Sequence, residues 1–443
     1  MSENSKESIL KEVKDNGIRF VHLQFTDIVG MVKSITVPAG QLENALHEGV
    51  WFDGSTIEGF VRISESDMFL RPDLDTFAII PWQSASHKAA RLICDVYTPD
   101  GERFIGAPRA ALARVIEEAR DMGYEYLVGP EMEFFLFETD ERGAPIHGAT
   151  HDQAGYFDAT ADRGTLVRDD MMTAAESFGI KVEAGHHEVA AGQHEIDFRY
   201  DHALAAADNV VTLKYIFKAI ARQHGLYATF MPKPVRGSNG SGMHTHQSLT
   251  AVGSGRNAFA DPSDPYGLSQ VANSFLAGQL RHARGMAAIL APLINSYKRL
   301  VPGYEAPVYV SWARINRSAL IRVPRANNLE GTRLELRCPD PSCNPYLAFA
   351  VMLKCGLDGI VNDLPLPDPT EEDLYESQRA REGLDTLPGS LEEALEELQK
   401  DQVVRDALGP HIYERFVAAK REELEDYRLE VTRWELDRYL PAF

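Results

Sequence analysis

The sequence predicts an α+β protein in two parts, the larger built on a curved sheet. Three observations predict it. Strand-like runs recur that carry polar groups at every second position with apolar residues between them, and helix-like stretches stand between those runs. A strand-rich segment of about a hundred residues precedes the breaker Gly106-Ala107-Pro108 and is large enough for a domain of its own.

Taken in order, an amphipathic helix is expected over Lys6 to Asn16, stopped by Gly17, and a strand from Arg19 to Phe25. Asp27-Ile28-Val29-Gly30 reads as a hairpin turn, with Met31 to Val37 returning to Pro38. Gln41 to His47 reads as a short helix ended by Gly49. Strands follow at Phe77 to Ile80 and Arg91 to Tyr97, then an Asp100-Gly101 turn. Between these elements Trp51-Phe52-Asp53-Gly54-Ser55-Thr56 reads as a loop with an acid beside aromatics, and Asp-Gly-Ser by itself signals only a turn. The first domain is placed at residues 1–105 and the second at 106–443.

In the second domain Pro108 opens a helix running to Met122. Further helices are expected at His202 to His224, before Gly225, at Tyr266 to Leu290 and at Pro345 to Leu357. Asn362 to Pro388, rich in proline and acid, reads as an exposed loop. Ser390-Leu391-Glu392-Glu393 reads as a capping box opening a helix to Lys400. A charged helical tail from Tyr413 to Leu440 ends in apolar Pro441-Ala442-Phe443, which can cap its own subunit or dock on a neighbour.

The most informative run is Gly129-Pro130-Glu131-Met132-Glu133-Phe134-Phe135-Leu136-Phe137. In a strand, Glu131 and Glu133 share one face while Met132, Phe134 and Leu136 take the other. Taken alone, the pair equally fits an exposed strand face. The pattern recurs, however, in Met243 to Leu249, Gln193 to Phe198 and Arg333 to Arg337, with Glu183 to Glu188 leading into the second of these. Several strands sharing a charged face suggest a concave binding surface.

Composition bounds the function. Hydrophobic content of 44% is ordinary for a globular protein, and a net charge of -21 argues against nucleic acid and anionic membranes as general partners. The four cysteines have no CxxC or zinc-type spacing and read as reduced thiols of a cytoplasmic protein. The polar N-terminus has no signal-peptide apolar core, and the apolar stretch from Met286 to Ile294 is broken by Pro292 and too short to span a bilayer.

Glu131, Glu133, Glu188, Glu195, Glu335 and His244 form an oxygen-dominated donor set with one imidazole, which suits Mg²⁺ or Mn²⁺. Buried like charges at that density call for a pair or trio of divalent cations, and such clusters clamp phosphoryl groups. Arg299, Arg317, Arg322, Arg333 and Arg337 cluster in an otherwise acidic chain, where they match phosphate or carboxylate oxygens or else form ordinary surface ion pairs. No P-loop motif is present. The glycine-rich run Gly237 to Gly242 allows a backbone approach to substrate, and the segment Arg299 to Pro307, with proline and glycine around Glu305, suggests a covering loop. The residues alone indicate a multi-metal enzyme that moves a phosphoryl group to a carboxylate- or phosphate-bearing substrate.

Five segments carry a family resemblance: Phe52-Asp53-Gly54-Ser55, Gly129-Pro130-Glu131-Met132-Glu133-Phe134, Lys233 to His244, Val301 to Pro307 and Asn316-Arg317-Ser318. In this order they resemble type I glutamine synthetase over nearly the whole chain. The resemblance implies an N-terminal β-grasp domain and a catalytic domain whose curved antiparallel sheet forms an active-site funnel between neighbouring subunits. It also implies a homo-oligomer, a dodecamer of two hexameric rings with the apolar tail as an inter-ring arm. The implied reaction joins L-glutamate and ammonium at the expense of ATP, through γ-glutamyl phosphate, with two to three Mg²⁺ or Mn²⁺ ions per site.

Carried onto this chain, the resemblance implies one metal on Glu133, Glu188 and Glu195 and another on Glu131, His244 and Glu335. ATP would lie against Glu183, Phe198, Arg199, Tyr200, His246, Gln247, Ser248, Arg317, Arg322 and Arg333. Glutamate would be held by Asn239, Gly240, Arg299, Glu305, Arg317 and Arg337. Asp53 of the adjacent subunit would take a proton from ammonium, Glu305 would close over the intermediate, and Arg317 would assist phosphoryl transfer.

The chain lacks an Asn-Leu-Tyr-Asp-Leu-Pro adenylylation motif, although Tyr375 sits in a comparable loop, and the shorter interval from Glu133 to Glu188 resembles the alpha subdivision. In that subdivision an arginine matching Arg62 serves feedback by glutamine. A regulatory protein partner is left open. Glu330-Gly331 replaces a basic position of some relatives. The alternatives are a γ-glutamyl ligase for methylamine or a polyamine, a non-catalytic family member, and, from the residues alone, a metal-dependent hydrolase.

Overall fold

The computed structural model describes residues 5–55, 57, 59, 67–302 and 306–443, so Arg62 and Glu305 lie outside the described residues. Two sheets organise the chain. The first contains β1 (Phe20–Thr26), β2 (Val32–Pro38), β3 (Val50–Asp53), β4 (Asp67–Pro72), β5 (Ala78–Ile79) and β6 (Ala89–Tyr97), in the order β2-β1-β6-β4-β3 with β5 beside β6. β1 and β2 form the expected hairpin, and β1 runs parallel to β6. The helices Lys6–Asp15 and Leu42–Glu48 bury Ile9, Val13, Leu42 and Leu46 against Val21, Leu23, Leu70 and Leu92 of this sheet. Here one reading needs correction. Trp51 to Asp53 is not loop but the end of β3, paired with β4 in a register that sets Asp53 opposite Asp67. The turn residues Gly54 and Ser55 follow the strand rather than replace it.

The second sheet is built around β7 (Tyr124–Thr139). The other strands are β8 (Pro145–Thr150), β9 (Val182–His187), β10 (Gln193–Phe198), β11 (Asp201–His202), β12 (Leu226–Thr229), β13 (Thr245–Ala251), β14 (Tyr309–Ala313), β15 (Ala319–Arg322) and β16 (Leu334–Leu336). Their main order is β14-β15-β16-β13-β7-β10-β9, with β8, β11 and β12 also on β7. The half of β7 before Pro130 pairs with β13, and the half after it pairs with β10. Pro130, which has no N–H to give a ladder, marks this change of partner. All pairs are antiparallel except β14 with β15, a departure from the purely antiparallel expectation.

Helices Pro108–Asp121, Ala203–Gln223, Gln270–Arg281, Ala283–Leu290 and Pro345–Val361 enclose the apolar side of this sheet, and Met132, Phe134 and Leu136 of β7 are fully buried there. Gln270–Arg281 meets Pro345–Val361 with almost no gap: a Cβ at Gly359 would stand 1.9 Å from the Ser274 carbonyl oxygen, so only glycine fits. Arg109, buried in the first turns of Pro108–Asp121, holds the two parts together. Its guanidinium meets Asp73, just past β4, at 2.6 Å, Asp95 of β6 at 2.9 Å and Asp208 of Ala203–Gln223 at 2.9 Å, while the Tyr346 hydroxyl donates to Asp208 at 2.6 Å.

Three expected helices are modified. The stretch Tyr266 to Leu290 breaks at His282, whose Nδ1 lies 2.7 Å from Asp401 and Nε2 3.1 Å from Asp358. The tail divides into Pro410–Leu429 and Arg433–Tyr439. Ser390 caps Leu391–Lys400 by accepting from the Glu393 N–H, but the Glu393 carboxylate turns to the Gly389 N–H and Arg284, so the box is half formed.

The His282 clamp gives a pH prediction. Burial alone would lower the His282 pKa, yet its bonds to Asp401 and Asp358 outweigh burial and raise it above the ordinary histidine value. A raised folded pKa means that the clamp's stabilisation is complete below about pH 6.5 and is lost as pH rises through the folded value. Scanning calorimetry between pH 6 and 9 is expected to show a steeper fall in thermal midpoint for the unsubstituted protein than for His282→Gln. Parallel slopes would rule the clamp out.

Candidate active site

The strand registers bring the predicted carboxylates face to face. On β7 and β10, Glu133 stands opposite Glu195 and Glu131 opposite Asp197; on β13 and β16, His246 stands opposite Glu335; and Arg322 of β15 pairs with Glu335 from the other side. The period-two alternation that buries Met132 and Phe134 below the sheet is what lifts Glu131 and Glu133 above it.

Glu131, Glu133, Glu195, Arg322 and Glu335 line a polar cavity of about 580 Å³. Every predicted metal ligand reaches it, as do Asn239, Gly240, Arg299, Arg317, Arg322 and Arg337. A second cavity of about 400 Å³ takes Glu183, Phe198, Tyr200, His246, Gln247, Ser248 and Arg333. Glu131 lines both. Of the nucleotide set, Arg317 and Arg322 therefore face the first cavity and Arg199 a neighbouring hollow with Lys181 and His202. Asp53 is exposed, accepts the Ser55 N–H at 2.8 Å and is not among the residues lining the cavity of its own chain.

Two clusters within the site could hold a cation. Ligand atoms of Glu131, His246 and Glu335 lie within 4.8 Å of one another, and so do those of His186, Glu188 and Glu195. His244 Nδ1 is 3.2 Å from Glu131 and 3.9 Å from Glu335, so both histidines of Met243 to Leu249 border the first cluster. His186 is a donor the sequence reading missed, because in Glu183 to Glu188 only the carboxylates drew notice. Glu133 is 8% exposed and hydrogen-bonded to Gln193 at 2.8 Å and to the Gly242 N–H at 3.0 Å.

The electrostatics divide these carboxylates. Burial, and then the nearby Glu188, push the Glu133 carboxyl well above the usual range; burial and Glu133 do the same to Glu195. Burial would raise Glu131 and Glu335 too, but His244 and His246 hold the first below its usual value, and Arg337, foremost, holds the second down. Mutual repulsion of this kind is relieved by protons or by cations of higher charge.

The ligand atoms of a third group, Asp152, His187 and His194, also lie within 4.8 Å of one another, but its rings offer no free lone pair to a cation. His187 Nε2 lies 2.9 Å from Asp152 Oδ1 and Nδ1 2.6 Å from the Glu188 carbonyl; both partners are acceptors, so both nitrogens carry protons. Arg168 donates to His194 Nδ1 at 2.9 Å, which leaves the proton on Nε2. Asp152 instead fastens the turn that carries Glu188, accepting also from the N–H of Gly192 at 3.0 Å and of Arg163 at 3.0 Å.

The loop before β13 needs its glycines. A Cβ at Gly240 would stand 2.3 Å from the Pro232 carbonyl oxygen, and one at Gly242 would stand 2.6 Å from Arg299 Nη2. Arg299 in turn donates to the carbonyls of Cys338 at 2.9 Å and Arg337 at 3.1 Å. Tyr156, which the sequence did not single out, and Asn316, the first residue of the segment Asn316-Arg317-Ser318, also border the cavity, and Tyr375 closes it by donating to the Ala306 carbonyl at 2.9 Å.

Comparisons with known proteins agree with this geometry. Residues 17–99 match the family model "Glutamine synthetase, beta-Grasp domain" and residues 105–439 match "Glutamine synthetase, catalytic domain". The chain is 53% identical to the glutamine synthetase of Clostridium saccharobutylicum, covering 100% of both chains. It is 54% identical to that of Thermus thermophilus, covering 99% of each. A solved structure of GmaS without ligand aligns with a TM-score of 0.89 at 33% identity, covering 99% of this chain and 100% of that one, and a GmaS complex with ADP aligns with a TM-score of 0.88 at 32% identity over 98% of this chain and 99% of that one.

Proposed function

This chain belongs to the glutamine synthetase family and carries out the ATP-dependent synthesis of L-glutamine from L-glutamate and ammonium, and from that premise we propose how its residues divide the work. The observation that carries the proposal is that Glu131 lines both cavities, with the nucleotide-side residues on one flank and the arginine-rich cavity on the other.

In this reading Glu183, Phe198, Arg199, Tyr200, His246, Gln247, Ser248 and Arg333 hold ATP, whose phosphates reach Arg317 and Arg322 in the larger cavity. Asn239, Gly240, Arg299 and Arg337 hold glutamate there, with its γ-carboxylate towards the carboxylate cluster. The family depends on divalent metal ions, and the donor set fits them: hard oxygens with imidazole, crowded until their pKa values separate. Glu133, Glu188 and Glu195 would hold one Mg²⁺ or Mn²⁺, with His186 beside them, and Glu131, His244 and Glu335 another. Bound there, such ions supply Lewis-acid neutralisation of phosphoryl charge.

The γ-carboxylate oxygen attacks the terminal phosphorus of ATP, ADP leaves, and γ-glutamyl phosphate results. Arg317, Arg322 and Arg337 neutralise charge that grows on the transferred group. Ammonium gives up a proton to Asp53, its nitrogen attacks the acyl carbon, and phosphate leaves as hydrogen phosphate, carrying the second proton that the nitrogen sheds as the amide forms. Because Asp53 lies outside its own chain's cavity, this step draws on a second copy, which supports a ring assembly, a dodecamer of two hexamers. The exposed apolar side chains Trp434, Leu436, Leu440 and Phe443 of the tail suit the contact between rings. Among the described residues no helix is long and apolar enough to cross a membrane, and the four cysteines are free and buried, which supports a cytoplasmic location.

The test incubates the purified protein with ATP, Mg²⁺ and glutamate, adds ammonium, methylamine or putrescine in parallel, and identifies products by mass spectrometry. Glutamine formed only with ammonium is expected. A γ-glutamyl amide of either amine as the main product would overturn the choice of nucleophile while leaving the phosphoryl chemistry standing.

A further inference from the structure

Gln193 is 1% exposed, and its side chain lies between two parts of the site that come from distant segments. Its amide nitrogen donates to Glu133 Oε2 at 2.8 Å and to the Gly240 carbonyl at 3.2 Å. Two acceptors on one side of the amide assign that side as the nitrogen. Glu133 Oε2 is at the same time held by the Gly242 N–H at 3.0 Å, so one carboxylate oxygen is committed to the loop that carries Asn239 and Gly240 and the other is left for a cation. Gln193 itself is fixed from behind by the turn that Asp152 fastens at His187 and Gly192, and its backbone carbonyl accepts the Glu188 N–H at 2.8 Å.

We infer that Gln193 is a positioning residue for the glutamine synthesis reaction: it orients the Glu133 carboxylate towards the divalent cation and locks that carboxylate to the amino-acid loop at Gly240, so that cation site and glutamate site are built as one unit. The inference rests on Glu133 being a cation ligand and the Asn239-Gly240 loop a glutamate contact, as proposed above. The physical reason is specific. Glu133 is buried beside Glu188 and Glu195, and a carboxylate there turns away from its neighbours unless a neutral donor pins one of its oxygens. A neutral amide does this without adding a charge that would compete with the metal. Lysine in the same place would neutralise the site, and a second carboxylate would add to the repulsion.

The experiment compares the unsubstituted protein with Gln193→Met, which keeps the length and removes the donor, and Gln193→Glu, which keeps the shape and replaces the donor by an acceptor. Mn²⁺ affinity is measured by titration calorimetry, KM is measured separately for glutamate and ATP, and folding is followed by the thermal midpoint. Gln193→Met is expected to weaken Mn²⁺ binding about 10–100-fold and to raise the glutamate KM together with it, leaving the ATP KM within about twofold, because ATP is held chiefly by the other cavity. Gln193→Glu is expected to be worse on both affected readouts at neutral pH.

Unchanged Mn²⁺ affinity in Gln193→Met would overturn the inference. So would an equal loss in both KM values with a fallen thermal midpoint, the signature of a merely structural residue. Glu133→Gln separates this failure from that of the premise. If Glu133→Gln leaves Mn²⁺ binding intact, Glu133 is no ligand and both readings fall; if it weakens binding while Gln193→Met does not, only the role given to Gln193 falls.

Discussion

Asp53→Ala is expected to reduce ammonium-dependent glutamine formation about 10²–10⁴-fold, the range attached to loss of a positioned general base. Binding of nucleotide and Mn²⁺ is expected to stay within about twofold, because Asp53 stands on the exposed end of β3 and does not line the cavity of its own chain. A second arm tests the subunit boundary. Coexpression of Asp53→Ala with Glu335→Gln in equal amounts would place, in mixed rings, an intact Glu335 beside an intact Asp53 at about a quarter of the sites, because a head-to-tail interface joins different patches of two chains. Regained glutamine formation in the mixture is the expected outcome. Mixed rings as inactive as either variant would return Asp53 to its own chain or remove it from the reaction.

Glu335→Gln is expected to lower kcat about 10²–10⁴-fold, since a metal ion at a phosphoryl group supplies several kcal/mol and each 1.36 kcal/mol is tenfold in rate. Stability is expected to fall as well. Glu335 is 1% exposed and pairs with Arg337 at 2.7 Å and with Arg322 from the adjoining strand. Removing the shared partner leaves cations facing a neutral amide, a loss at the lower end of about 3–5 kcal/mol because Arg322 keeps some contact with water. Mn²⁺ titration is expected to lose one class of site in Glu335→Gln and to keep it in Arg322→Ala. Equal stoichiometry in all three proteins would remove Glu335 from the ligand set.

Much of this site was legible because it is local. Alternation along β7 gives the shared face of Glu131 and Glu133 from sequence alone, and the same rule finds Glu195 and Glu335 on their own strands and His244 immediately before β13. Turn chemistry also read correctly at the β1–β2 hairpin. It misled at Asp53, because Asp-Gly-Ser signals a turn whether or not a strand runs into it, and the partner strand β4 is short and ends in Pro72. The apolar period through His282 is unbroken, so nothing nearby announces the helix break; of the two carboxylates that engage His282, Asp358 comes from the remote helix Pro345–Val361 and Asp401 from the C-cap of Leu391–Lys400.

By itself, then, the sequence determined what each strand could present: the carboxylates above the sheet, the apolar residues below it, the arginines within reach, and the motifs that place the chain in its family. Tertiary structure alone decided which strands meet. It set Glu133 against Glu195 and His246 against Glu335, put Glu131 between two cavities, added His186 and Gln193 to the site, and joined the two parts through Arg109. The reason is one of range: side-chain direction follows from the local period of the backbone, whereas register and pairing are fixed by long-range packing that a single sequence does not display.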